Sequence, residues 1–314
     1  MKNRKIIPAL LLSVLLSVLL CGCSEMDEIL RMAESMQAME SSAAEEPSEE
    51  ASSKAPAPEG TFRSHYIDVG QGDCEYLEFP DGTTMLIDAG PPEAGETIRK
   101  YLESYGCSRI DYLVATHPHS DHIGSMKTVV ESFEIGKIYM PKATATTKTY
   151  ENLLTAIKAK GLKISTAKAG VKIKTDEAHK LEVKLLGPVG TEYESLNNYS
   201  AVVSVHFGER SFLYMGDAEK LSENEILDKK YDVKADVIKI GHHGSNSSSG
   251  AKFIKAVGAA YGILSMGADN AYGHPHKEPV QRWEKSGTKL YRTDQSGSIV
   301  AVSDGKTLEI TTEK

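Results

Sequence analysis

Between residues 116 and 124 the chain reads Thr-His-Pro-His-Ser-Asp-His-Ile-Gly, which places His117, His119, Asp121 and His122 within six residues. Four side chains able to ligate a metal, packed this closely, constrain the fold more than any other stretch. The preceding Asp111-Tyr-Leu-Val-Ala115 is a short apolar run of strand type, and a helix-like pattern follows. The ligands therefore belong on a loop running from a strand into a helix. In such a loop, side chains two apart can point into one pocket while Asp121 and His122 turn towards a neighbouring position, so one metal or two can be served. With ten histidines in 314 residues, chance gives this pattern in roughly one chain of two thousand. Imidazole with carboxylate suits Zn²⁺, Mn²⁺ or Fe²⁺ better than Cu(I) or Ca²⁺. A metal-dependent hydrolase is the expectation.

Lys2, Arg4 and Lys5 precede an apolar run from Ile6 to Leu20, interrupted by Pro8, Ser13 and Ser17 and too short to span a bilayer comfortably. It reads as a secretory signal covering residues 1–23. Its end, Leu20-Cys21-Gly22-Cys23, resembles the lipobox of bacterial lipoproteins, in which Cys23 becomes the lipidated first residue. The expectation is a protein anchored by lipid to the cell membrane, on its extracytoplasmic face. Residues 24–60 are rich in Ser, Glu, Pro and Ala and carry a net charge of −8. They bury too little to offset chain entropy and read as a disordered tether. Residues 61–314 carry only −3, which argues against tight, unspecific binding to nucleic acid.

Residues 61–314 are long enough for one large domain with a substantial core. Strand-like runs recur from Phe62 to Val302, including Thr84–Asp88, Tyr112–Ala115, Ser211–Met215, Val237–Ile240 and Gly262–Ser265. Helix-like runs cover Glu96–Tyr105, Met126–Phe133, Tyr150–Lys160, Glu219–Leu227 and Gly250–Val257. Two strand-rich blocks interspersed with helices predict an α/β protein built as a four-layer αββα sandwich. A doubly wound sheet would need regular alternation and a Gly-rich phosphate loop, and neither is present.

Further ligand candidates stand where strands end, the place where such a scaffold puts its chemistry. Asp217 follows the apolar run Ser211–Met215 and a glycine; His242 and His243 follow Val237–Ile240 and another glycine; His274 lies in Tyr272-Gly-His-Pro-His276. A glycine ahead of each leaves room for close approach.

Asp88-Ala-Gly90, the His117/His119/Asp121/His122 cluster, Asp217 and a late histidine resemble the metallo-β-lactamase superfamily, whose fold is the αββα sandwich. Ile67-Asp-Val-Gly-Gln-Gly-Asp73, Gly241-His-His-Gly-Ser245 and Arg292-Thr293 are similar to the extracytoplasmic hydrolase domain of the ComEC/Rec2 competence proteins. The resemblance covers that domain and leaves out their membrane channel, so it implies chemistry rather than DNA translocation. Many superfamily members supply a third histidine where this chain reads Asn197-Asn-Tyr-Ser200. His206 is near in sequence but inside a strand, so the resemblance implies that His242 fills that place. One metal then takes His117, His119, His242 and Asp217. The second takes Asp121, His122, His274 and the shared Asp217. Asp121, Asp217 and His243 are the catalytic candidates. Asp68, Gln71, Asp73, Asp88, Asn198, Lys239 and Ser245 are expected to contact substrate or to support the ligands.

Two divalent ions sharing a carboxylate activate water without a serine or cysteine nucleophile. The family resemblance implies phosphodiester hydrolysis, with nucleic acid or a cell-surface polymer as substrate; another ester, a lactone or a β-lactam is the alternative, and a non-catalytic binding lipoprotein a third. No protein partner is implied. Eight lysines between Lys142 and Lys174, against Glu151 alone, form either a polyanion-attracting face or a merely solvated one. Cys74 and Cys107 are the two cysteines left to form a disulfide.

Overall fold

A computed structural model describes residues 57–314. The expected signal and lipidation site, and the tether up to residue 56, lie outside the described residues. Fifteen strands form two sheets. In the first, β1 (Phe62–Tyr66), β2 (Glu75–Glu78), β3 (Thr84–Ile87), β4 (Arg109–Val114), β5 (Glu134–Met140) and β6 (Ile164–Thr166) follow chain order. The last two strands, β14 (Ile299–Ser303) and β15 (Leu308–Thr312), return to this sheet beside β1. The second sheet runs from β7 (Lys172–Asp176) through β8 (Leu181–Leu185), β9 (Val203–Phe207), β10 (Arg210–Tyr214), β11 (Val237–Lys239) and β12 (Tyr261–Leu264) to β13 (Lys289–Arg292).

Strand alternation sorts the apolar side chains into three cores. Met85 and Ile87 of β3, Phe212 and Tyr214 of β10, and Val237 of β11 enter the middle core between the sheets. Their neighbours point the other way: Leu86 to the first helical layer, Leu213 and Ile238 to the second. Ring contacts knit the middle core, with Phe62 edge-on to Phe212 at 4.7 Å. The first helical layer holds α1 (Gly95–Ser104), α2 (Ser120–Ile123), α3 (Met126–Ser132) and α4 (Lys148–Ala159). They bury Ile98 and Leu102, Ile123, Met126 and Val129, and Leu153 and Ile157. The opposite layer holds α5 (Lys220–Asp228), α6 (Ala251–Val257) and α7 (Lys277–Lys285), burying Ile226, Phe253 and Trp283. A short helix, α8 (Thr293–Ser296), joins β13 to β14. This is the expected αββα sandwich.

Cys74 and Cys107 are separate buried thiols, not a disulfide. Part of the lysine stretch is neutralised locally: Lys148 pairs with Glu151, Lys172 with Glu182 and Lys174 with Asp81. Among the described residues, no helix is long and apolar enough to cross a membrane.

Glu223 of α5 fastens the segment after the Gly-His-His-Gly turn. It is buried and accepts bonds from the Ser249 and Gly250 N–H groups at 2.5 and 2.8 Å. Burial pushes its pKa up to about 7, against the two N–H bonds that favour the carboxylate. Between the ordinary carboxylate range and pH 7 the folded chain thus holds a proton that the unfolded chain has released. Stability must fall as pH rises through that window, by about 2–4 kcal/mol from this one group. Urea midpoints at pH 5 and pH 7.5 should show the slope reduced in Glu223→Gln; an identical slope in the variant removes Glu223 as its source.

Candidate metal centre

Parallel strands of both sheets bring their carboxyl ends to one cleft: β3 beside β4 in the first, and β10, β11 and β12 in the second. Asp88, one residue past β3, organises the ligand loop after β4. It sits in the left-handed region at φ 57° and accepts from the Thr116 N–H at 2.8 Å and hydroxyl at 2.6 Å. Its Oδ2 also accepts from His122 Nδ1 at 2.7 Å. That bond leaves His122 Nε2 as the lone-pair nitrogen facing inward. The loop continues into α2, whose first turn carries Asp121 and His122.

The loop carrying Gln71 and Asp73 lies directly on this turn. A Cβ on Gly72 would stand 2.3 Å from the Asp121 carbonyl oxygen, and φ there is 145°. Only glycine permits the approach, which the Asp73 N–H completes by donating to the same oxygen at 3.1 Å. Asp217 enters from the other sheet, one glycine and one methionine beyond β10, its N–H donating to Ser200 Oγ at 3.0 Å.

Three His/Asp groups result among the described residues, each with its ligand atoms within 4.8 Å of one another; Asp73, Asp88 and His122 form the fully buried one, and the other two share a carboxylate. One contains His117, His119 and Asp217; the other contains Asp121, His122, Asp217 and His243. Asp217 is common to both. His117 Nε2 and His119 Nδ1 lie 2.9 Å apart, and His117 Nε2 is 3.7 Å from Asp217 Oδ2. On the other side, Asp217 Oδ1 is 3.2 Å from His122 Nε2 and 3.6 Å from His243 Nε2.

The chemistry of these atoms fits divalent cations. His122 Nε2 and Asp217 Oδ1 are buried with no hydrogen-bond partner, a rare state for buried polar atoms that one shared cation relieves. Burial opposes charge on His122 and His243, yet the surrounding carboxylates dominate and raise His122 well above its usual range and His243 to about 10, so the site favours positive charge, which a bound cation would supply in place of the Nε2 protons. The same positive neighbours hold Asp217 well below its usual range despite its burial. Burial keeps His117 neutral, as a ligand must be.

His243, not His274, joins the second group, a correction of the expected assignment, while His242 faces the first. Both sit in the left-handed region at φ 51° within the turn Gly241–Gly244. This backbone sends adjacent rings apart. His243 donates from Nδ1 to the Ser265 carbonyl at 2.8 Å, which aims Nε2 at Asp121 Oδ2, 3.2 Å away. It therefore joins the ligands of the second group. His242 points to the first, its Nε2 3.7 Å from Asp217 Oδ2 and its Nδ1 2.8 Å from Ser247 Oγ. His274 stands outside both groups, lining the cleft instead.

The cleft measures about 300 Å³; Gln71, Asp121 and Asp217 line it with the His119, His242, His243 and His274 rings. Lys239 and Asp73 do not reach it. They form an ion pair beneath the ligands, with side-chain exposures of 0% and 1%. Asn198 and Ser245 are likewise buried supports: Asn198 donates to Glu219 Oε2 at 2.9 Å, and Ser245 Oγ accepts from the Ser247 N–H at 3.3 Å. Asp68 turns away, accepting from the Gly70 N–H at 3.2 Å. The sequence reading missed Glu219, which accepts from both Asn197 and Asn198 and lies 3.7 Å from His242 Nδ1. A second acid two residues past Asp217 was its available signal.

The fold and the two histidine–aspartate groups that share Asp217 are those of the metallo-hydrolase superfamily, and residues 67–268 match the metallo-beta-lactamase superfamily. The chain belongs to that superfamily. Its relatives include ComE operon protein 3 of Bacillus subtilis, 31% identical over 250 residues that cover 74% of this chain and 32% of that protein. Competence protein ComA of Neisseria gonorrhoeae is 30% identical over 234 residues, covering 74% and 31%. The chain thus spans about a third of the length of these relatives. CmlA, a diiron β-hydroxylase from Streptomyces venezuelae, shares the fold with a TM-score of 0.50 and 17% identity, over 76% of this chain and 53% of that one.

Proposed function

We propose that this chain is a hydrolase of phosphodiesters that works with two divalent ions, zinc, manganese or iron, and is held at the extracytoplasmic face of the cell membrane by a lipid on Cys23. The observation that carries the catalytic reading is the sharing of Asp217 between two ligand groups at the floor of an open cleft. Two ions bound there would neutralise phosphate oxygens and make water nucleophilic near neutral pH. The chain's own residues fix the geometry. Asp88 orients His122, the Ser265 carbonyl sets the His243 tautomer, and Ser247 holds His242. Pro118, Ala145 and Leu196 give the cleft apolar patches against which the non-reacting part of a substrate would pack.

A substrate panel tests this: single-stranded DNA, bis-p-nitrophenyl phosphate, a phosphorylcholine ester and nitrocefin, with metal added back after chelation. Turnover of the phosphodiesters is the expected result. Turnover of nitrocefin alone overturns the substrate class, and inactivity on all four leaves the binding-lipoprotein reading. Membrane fractionation of intact cells checks the anchor, since Cys23→Ala should release the protein or stall its processing.

A further inference from the structure

His274 has no role in either ligand group, yet its main chain and two faces of its ring are held by neighbours. Asn270 grips the main chain at both ends: its Oδ1 accepts from the His274 N–H at 2.9 Å and its Nδ2 donates to the His274 carbonyl at 2.7 Å. Tyr272 stacks on the imidazole at 5.6 Å and 18°, and His276 meets it edge-on at 5.1 Å. The ring lines the cleft with Asp121 and Asp217, its centroid 5.4 Å from His242 and 5.9 Å from His243.

Its two nitrogens differ. Nδ1 is buried and has no hydrogen-bond partner. A proton placed there would be a buried donor without an acceptor, a costly arrangement. The neutral ring therefore carries its proton on Nε2, which has no protein partner among the described residues. This leaves one N–H, pre-aimed and unsatisfied, at a cleft floored by metal ligands.

We propose that His274 Nε2–H is a substrate contact: it donates to the oxygen of the reacting group on which negative charge builds, with Tyr272 and Asn270 as its positioning residues. A donor fixed in advance loses no reorganisation energy when the charge develops. The proposal rests on the hydrolase reading for its catalytic consequence and on geometry alone for its anion contact.

His274→Phe keeps a ring between Tyr272 and His276 and removes the donor. In the metal-loaded full chain, this variant should retain wild-type metal stoichiometry. Its kcat/KM on bis-p-nitrophenyl phosphate should fall by about 10²–10³-fold. Inorganic phosphate, titrated calorimetrically, should bind about tenfold more weakly. His274→Gln, which restores an N–H, should recover part of both losses. Wild-type activity and phosphate affinity in His274→Phe reduce the ring to packing and overturn the proposal. Loss of metal makes His274 a ligand and overturns it equally. If the wild type turns over no substrate, the hydrolase reading fails, while the phosphate titration still decides the contact; a wild type that binds no phosphate counts against it.

Discussion

Alanine at Asp217 is expected to remove metal from both groups at once, whereas alanine at any other ligand should weaken one. The reason lies in how its two oxygens divide. Oδ2 lies 3.7 Å from both His117 Nε2 and His242 Nε2, and Oδ1 lies 3.2 Å from His122 Nε2 and 3.6 Å from His243 Nε2. No other side chain belongs to both of these ligand groups. Elemental analysis should fall from near two equivalents in the wild type towards none, while His119→Ala should retain metal in the group of Asp121, His122 and His243. Hydrolytic activity of Asp217→Ala should drop by at least about 10³-fold, the consequence of losing several kcal/mol of charge stabilisation. Full metal occupancy in Asp217→Ala would remove the shared carboxylate from the account. A loss confined to one equivalent would make Asp217 a ligand of one ion only.

The ligand loop was legible because its four side chains fall within six residues and its backbone is dictated locally, by a strand ending and a helix beginning. Asp217 was legible for a similar reason, an apolar run stopping at Gly-Asp. Which histidine serves which group was not. That depends on the left-handed turn at residues 242 and 243, φ 51° at both, which sends neighbouring rings to different groups and leaves His274 aside. Non-glycine residues adopt this conformation rarely, and nothing in Gly-His-His-Gly announces it. The missed strands are those with little to bury. Ile164–Thr166 of β6 is exposed throughout, β15 buries none of its residues fully and β7 buries only Ile173, so no apolar alternation marks them. Helix α7 buries only Pro279 and Trp283; its faces are well segregated, but so few apolar residues among so many charges do not mark a core helix. The support beneath the ligands was visible only as a set of polar residues. Asp73 and Lys239 are 166 positions apart, and their partnership is a property of how the two sheets meet.

That partnership predicts the second large effect. Lys239 of β11 lies wholly buried between the sheets, paired with Asp73 Oδ2 and 3.4 Å from the Gly216 carbonyl. Burial works against the ammonium, but the carboxylates of Asp73, Glu75 and Asp217 outweigh it and keep Lys239 charged. Asp73 Oδ1 in turn lies 3.2 Å from His243 Nδ1, so the pair stands directly under a metal ligand. Lys239→Met keeps the aliphatic length and deletes the charge, leaving the buried Asp73 without its ammonium partner and with only the His243 and His122 rings beside it. Removing one partner of a buried pair costs about 3–5 kcal/mol, which for a domain of this size lowers Tm by roughly 6–20 °C. The double variant Lys239→Met/Asp73→Leu removes the stranded charge as well as the pair, and should recover most of that loss, because two apolar residues of similar volume replace an ion pair at little net cost. Thermal unfolding of wild type, both single variants and the double variant closes the cycle. Additive losses in the double variant would show that the two charges do not compensate one another. A recovered Tm with metal still absent from the group of His243 would instead assign the pair to both jobs, holding the sheets together and seating that ligand.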